Sequence, residues 1–211
     1  MIKKRVLVII TEGETDEEFY KEVISTIKKV NNGIKFKFDK IKYICAKSIT
    51  RIHKKMLSRF EKDICTEFAD WEKVVCFCYD SDVFEMSTNP PIDREKVKRD
   101  FLKAGASDII EIVAERSIED FFLYDIEGVK RYLGLPSNYK VPNDTGIKVL
   151  EKMFKDKNRI YYKGERVEGL VKKLDIKLIF SKICHKLSKL CLQLGCKCNG
   201  EKCKNNNNEV Q

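Results

Sequence analysis

The stretch from Lys73 to Tyr79 constrains the fold more than any other part of the chain. Val74, Val75, Cys76, Phe77 and Cys78 are apolar on both parities. A half-buried strand alternates apolar with polar residues, whereas a strand covered on both faces reads as a continuous apolar run, as in a parallel sheet under helices. The run stops abruptly at Asp80.

A second run of this kind, Arg5–Ile10, precedes Thr11–Glu14 and a helical pattern of Phe19, Val23 and Ile27. Thr15 with Glu18 three residues later reads as a capping box, so the segment predicts strand, tight turn at Gly13, then helix. Ile34–Cys45 alternates with a phase change at Asp39–Lys40, predicting a strand or a bent hairpin, and Ile49, Ile52, Met56, Phe60 and Ile64 mark a second amphipathic helix. Arg94–Ala104, ended by Gly105, reads as a helix. Ile109–Ala114 reads as a strand before a helix opened by Ser117. The order βαβαβαβα predicts an α/β fold with a mainly parallel, doubly wound sheet flanked by helices.

Beyond residue 126 the pattern predicts a helix to Leu133, a loop over Gly134–Thr145, a helix at Lys148–Phe154, a short strand Ile160–Lys163, and helices to about Leu194. We therefore expect an α/β domain over 1–126, a basic and mostly helical extension over 127–198 packed on it, and a disordered polar tail at 199–211. Charge follows the same division. Residues 1–126 hold 23 Lys and Arg against 24 Asp and Glu, and residues 127–211 hold 19 against 9, so the whole excess of +9 belongs to the second part. A near-neutral domain beside a basic one suits an enzyme acting on a polyanion, although lysine-rich solvated faces give the same count.

No apolar run reaches the roughly 18 residues a spanning helix needs. A cytoplasmic protein without a membrane partner is expected. Nine cysteines is an odd number, and Cys76 and Cys78 lie inside an apolar run, which argues for buried thiols over a disulfide framework. With only two histidines, and His53 placed beside Ile52 and Met56 as an edge-of-core residue, Ser/His or Cys/His nucleophilic chemistry is disfavoured.

Open parallel sheets place ligands beyond the carboxyl ends of their strands. Glu12 stands just past the first strand and Asp80 just past the central one; Asp82, two residues on, shares a side with Asp80 in extended chain. Ser117 and Glu119 follow the last strand, and Asp16 lies in the first helical turn. Clustered carboxylates supply the hard oxygen ligands of Mg²⁺, and two such ions about 3.5–4 Å apart clamp the attacking and leaving oxygens of phosphoryl transfer. Acids at helix starts also serve as ordinary caps.

The strand followed by Thr-Glu-Gly-Glu-Thr-Asp at 11–16 resembles the first motif of TOPRIM nucleases of the OLD-type and related phage-defence group. Tyr79-Asp80-Ser81-Asp82 is similar to their Asp-x-Asp, and Ser117-Ile118-Glu119 to their Ser-x-Glu. Carried over residue by residue, the resemblance implies Glu12, Asp16, Asp80, Asp82, Ser117 and Glu119 as metal-site positions for Mg²⁺ or Mn²⁺. It matches Lys163 to the catalytic lysine. It covers roughly the first 120 residues, and Asp16 stands where the family usually has Glu. No Walker motif is present, so the ATPase that accompanies many of these domains would have to come from a partner in trans.

Arg116, Lys130, Arg131, Arg166, Lys172 and Lys173, interleaved with Tyr124, Tyr132, Tyr161 and Tyr162, are candidate nucleic-acid contacts, set against the reading that they are snorkelling cations around a tyrosine-containing core. Cys184, His185, Cys191, Cys196, Cys198 and Cys203 offer thiolates and imidazole for Zn²⁺, but their spacing forms no paired CxxC knuckle. The expected function is a Mg²⁺-dependent nuclease hydrolysing DNA or RNA, in anti-phage defence as the resemblance implies. The alternatives are a non-catalytic subunit that binds nucleic acid or a protein partner, and another phosphoryl-transfer enzyme of primase or phosphatase type.

Overall fold

The computed structural model of the chain describes residues 3–31, 34–85 and 92–196. The apolar run forms β3 (Glu72–Asp80), buried from Lys73 onward. It pairs in parallel with β1 (Arg5–Thr11) on one side and with β4 (Asp108–Ala114) on the other. β1 carries β2 (Lys40–Cys45) on its far edge, giving an all-parallel sheet of order β2-β1-β3-β4. Successive residues of β1 and β3 feed opposite cores. Leu7, Ile9, Val74, Cys76 and Cys78 face one, and Val6, Val8, Ile10, Val75 and Phe77 the other. This two-sided burial explains why the strands read as unbroken apolar runs.

Helix α1 (Glu14–Val30) covers the first face with Phe19, Tyr20, Val23, Ile24 and Ile27. The second face is covered by a composite helical stretch: a 3₁₀ turn at Ile49–Arg51, α2 (Lys54–Arg59), a π-type turn at Phe60–Ile64, and α3 (Cys65–Glu67). The apolar positions that predicted one regular helix are all buried, but the winding changes three times along it. A short helix α4 (Asp82–Glu85) follows β3, and α5 (Arg94–Lys103) completes this face with Val97 and Phe101. Phe101 meets Phe77 edge-on at 5.0 Å and Phe60 at 5.3 Å. Truncating such a buried ring typically costs about 3–5 kcal/mol.

After β4 come α6 (Ile118–Phe122), α7 (Ile126–Leu133), α8 (Gly146–Lys155), α9 (Leu170–Lys173), α10 (Ile176–Ile183) and α11 (Ser188–Leu194). Their apolar faces join the core under α1, so residues on both sides of 126/127 share one interior. The expected division also falls at the first residue of α7. Asp125 ties this region together: its carboxylate accepts from the backbone N–H of Gly128 and from that of Asp175, at the starts of α7 and α10.

Two local expectations are corrected. Residues 160–163 pair with no strand of the sheet and form part of an irregular strap from 156 to 169. Helix α1 begins at Glu14 rather than after Thr15, with Gly13 at its cap and Asp16 accepting from the Gly13 N–H at 2.9 Å. Thr15 is occupied otherwise. Its hydroxyl donates to the Glu165 carbonyl at 2.6 Å and accepts from the Val167 N–H at 3.0 Å, pinning the strap onto α1. Of the described residues, no helix is long and apolar enough to cross a membrane. The tail at 199–211, with Cys198 and Cys203, lies outside the described residues.

Candidate functional site

The sheet order makes β1 and β3 neighbours, with Thr11 beside Cys78 in the register. Because the chain leaves β1 toward one edge and returns to the other, a crevice opens at their carboxyl ends, where such sheets take ligands. Glu12, Asp16, Asp80, Glu119 and Lys163 line a cleft of about 210 Å³ there. Asp82 joins them through Lys163, whose ammonium lies 2.9 Å from Asp80 Oδ2 and 2.8 Å from Asp82 Oδ2. Ser117 is buried at the cap of α6, without a side-chain capping bond. Five carboxyl groups from three strand ends thus face one ammonium.

Each acid is held by something identifiable. The Ile118 N–H donates to Asp80 Oδ1 at 2.9 Å, fixing the central carboxyl to the first turn of α6. The phenol of Tyr161 donates to Glu119 Oε1 at 2.7 Å. Asp16 is clamped by Gly13, as above. Gly13 itself touches the strap: a Cβ there would stand 2.9 Å from Gly164 Cα and 3.0 Å from its carbonyl oxygen, so only glycine allows the close approach. The Glu14 N–H seals that contact by donating to the Gly164 carbonyl at 3.2 Å.

Crowding shows in the proton affinities. Burial pushes the Asp80 carboxyl up to about 8, against the attraction of Lys163, with Asp16 and Glu119 adding to the rise. Burial likewise pushes Asp16 up to about 7, with Glu119 and Glu12 contributing. Glu12 is raised by the same cause, opposed chiefly by Lys163. Burial disfavours the charge on Lys163, but Asp80 and Asp82 outweigh it and hold the ammonium above the ordinary lysine value. Burial and the neighbouring Glu119 also keep Tyr161 protonated, and therefore a donor.

No protein-family model and no curated protein matches the sequence.

What the arrangement can do therefore rests on its own chemistry. Among the described residues no group of three or more His, Cys, Asp or Glu side chains stands close enough to hold a metal ion. Lys163 provides the cation between Asp80 and Asp82. The donor set nevertheless fits a hard divalent cation, since Glu12 Oε2, Asp82 Oδ1 and Glu119 Oε2 are all buried without a hydrogen-bond partner. Buried carboxylate oxygens left unpaired are costly, and a divalent cation is the kind of partner that offsets that cost.

The candidate basic residues divide. Arg116, in left-handed conformation at φ 63°, sits at the rim, its carbonyl accepting from Asp82 N–H and its guanidinium paired with Asp120. Arg166 borders the site, while Lys172 and Lys173 lie exposed on α9. Lys130 is turned inward: it is buried and donates to Glu127 and to the Ser137 carbonyl at 2.8 Å each. Arg131 reaches Asp125 and the Lys173 carbonyl, a contact between α7 and the end of α9. Cys184, Cys191 and Cys196 are buried. His53 bonds Asp100 at 2.8 Å on the edge of the second core.

Three contributors were not singled out from sequence: Gly164, the pinning hydroxyl of Thr15, and Lys47, which follows β2 as Glu12 follows β1 and lines the same cleft. Applying the strand-end rule to β2 as well finds Lys47. The strap contacts carry no sequence signal, because they join residues about 150 positions apart.

Proposed function

We propose that the chain is a Mg²⁺- or Mn²⁺-dependent phosphodiester hydrolase acting on nucleic acid, with a TOPRIM-like domain whose metal-holding residues are Glu12, Asp80, Asp82 and Glu119, supported by Asp16 and Ser117. The observation that carries this reading is the convergence of these carboxyls at the β1–β3 crevice with three buried oxygens unpaired. A divalent cation bound there supplies Lewis acidity, lowering the pKa of water and neutralising charge on the phosphoryl oxygens.

The chain's own residues do the rest. Ile118 N–H and Tyr161 hold Asp80 and Glu119 in fixed orientation at the cleft. Lys163 lines the cleft, its ammonium held at Asp80 and Asp82. There it stabilises the negative charge that develops on the transferring phosphate. The buried carboxyls of Asp80 and Asp16, whose proton affinity burial raises, would give up protons to a divalent cation held there. A role in anti-phage defence, and an ATPase partner in trans, belong to the family resemblance and form part of this proposal on that basis.

The ammonium between Asp80 and Asp82 favours a second reading, in which Lys163 is a permanent counter-ion and the domain binds nucleic acid or a protein without cutting. A survey of DNA, transfer RNA and ribosomal RNA with Mg²⁺, Mn²⁺ or EDTA separates the two. Hydrolysis requires cleavage that EDTA abolishes; the binding reading requires stable association and no cleavage with either metal.

A further inference from the structure

Lys47 and Arg51 were not among the basic residues expected to touch nucleic acid, yet Lys47 lines the acidic cleft and Arg51 the opening beside it. The chain leaves β2 through Lys47 in left-handed conformation, φ 64°, and turns directly into the 3₁₀ turn Ile49–Arg51. That sharp reversal brings both cations to a second cleft, about 590 Å³, which they line with Lys163, Gly164 and Arg166. Lys47, Lys163 and Gly164 also line the acidic cleft, so the two openings share a wall. On its far side the basic cleft shares Glu165 and Arg166 with a third opening, about 410 Å³, lined by Tyr162, Tyr132 and Arg159.

The three openings adjoin one another through these shared residues. At the outer end of the series the Tyr162 side chain is 54% exposed, and among the described residues its ring has no aromatic partner. Arg159, by contrast, is held against Tyr132 and Phe154 at 4.7 and 5.2 Å. Along the strap Tyr161 and Lys163 turn into the acidic site while Tyr162 turns out, so one extended segment supplies both the site and the outer platform. In the middle, Lys47 pairs with Glu14 at 3.0 Å, both exposed, and the exposed Arg166 lies 3.7 Å from the largely buried Glu18 carboxylate. An exposed pair such as Lys47–Glu14 is weak and exchanges readily for phosphate, while the long Arg166 contact leaves its guanidinium largely in solvent.

We infer that this series of openings is the track of a single-stranded nucleic-acid segment: a base stacks on Tyr162, and successive phosphates lie along Arg166, Arg51 and Lys47 before the scissile one enters the acidic cleft. The inference rests on the proposed phosphodiester hydrolase reading, which it deepens by naming the form of the substrate. Cations spaced along a groove with an exposed aromatic platform are the recognition chemistry of single strands, whose bases are free to stack. The deep burial of Asp80 and Glu119, 3% and 1% exposed, favours a flexible strand over a rigid duplex.

The test is anisotropy of fluorescein-labelled oligonucleotides with the full chain in EDTA, where no hydrolysis intervenes, using single-stranded DNA, single-stranded RNA and the matching duplex. The combined Lys47→Gln, Arg51→Gln and Arg166→Gln variant is expected to flatten the slope of log affinity against log salt by about 2, near 0.7 for each phosphate that is no longer neutralised. Tyr162→Ala is expected to weaken single-strand binding about ten-fold, Tyr162→Phe to preserve it, and Lys62→Gln, on the opposite sheet face, to leave both measures unchanged. Tighter binding to either single strand than to duplex supports the track. Equal or tighter duplex binding, or an unchanged slope in the triple variant, overturns it. The two readings fail separately. Track-dependent binding with no cleavage in any metal refutes the hydrolase and keeps the track, whereas Asp80-dependent cleavage indifferent to the triple variant does the reverse.

Discussion

Replacing Asp80 by asparagine separates a carboxyl kept for a cation from one kept for stability. In the metal-free protein the side chain is buried and its pKa is raised from 3.8 to about 8. A rise of about four units means that ionised Asp80 costs the fold roughly 6 kcal/mol relative to the unfolded chain once the pH exceeds that value. Asparagine keeps an oxygen for the Ile118 N–H and carries no charge, while Lys163 retains Asp82. That cost of ionisation is already net of the attraction of Lys163; what reduces the relief is the amide N–H₂ that asparagine leaves buried facing the ammonium. The net gain expected for metal-free Asp80→Asn at pH 8.5 is about 2 kcal/mol, within the range seen when buried ionic groups are neutralised. Denaturant unfolding in EDTA measures it. Mn²⁺ at a hundred times its dissociation constant should then stabilise the wild type by about 2.7 kcal/mol and leave the variant unmoved. A metal-free variant less stable than wild type at pH 8.5, or equal Mn²⁺ stabilisation of the two, would refute the reasoning.

The pH dependence of the metal-free protein should run opposite to ordinary acid denaturation. Asp80 and Asp16 have folded values of about 8 and about 7 against an ordinary 3.8, so the folded form binds more protons between those limits, and unfolding free energy should rise as pH falls from about 8 toward about 5. For the same reason Mn²⁺ binding at pH 7 should release about one proton, read from calorimetry in buffers of different ionisation enthalpy. Gly13→Ala forces a Cβ to within 3.0 Å of the Gly164 backbone and should lower stability by about 2 kcal/mol or more in thermal unfolding, with loss of metal-dependent cleavage as the strap shifts. Tyr161→Phe removes the donor to Glu119 and should weaken Mn²⁺ binding by about ten-fold while the circular dichroism spectrum stays unchanged.

The sheet was legible because burial on both faces leaves a plain mark: Val74–Cys78 and Arg5–Ile10 have no polar parity, and strands so covered belong to a parallel α/β layer. Once β1 and β3 are neighbours, Glu12, Asp80 and Asp82 follow from where strands end, and Ser117 and Glu119 from where β4 ends. The missed features are those whose partners lie far away in sequence. Residues 160–163 alternate like a strand, but the alternation serves the acidic site on one side and solvent on the other, with no ladder to join. Thr15 carries the pattern of a capping residue, and its hydroxyl answers instead to Glu165 and Val167. Lys130 counted as a surface cation by composition alone, whereas its burial depends on a loop carbonyl at Ser137 that no local pattern announces.

The most direct test of the central claim is the rate of Mn²⁺-dependent cleavage of a labelled single-stranded oligonucleotide by the full chain, measured beside Glu12→Gln and Asp80→Asn at equal protein concentration. The account predicts cleavage that EDTA abolishes and that falls by at least about a hundred-fold in each variant, as expected when a transition-state electrostatic contact is removed. Full activity in Asp80→Asn, or stable binding with no cleavage in Mg²⁺ or Mn²⁺ on any strand tested, would contradict it.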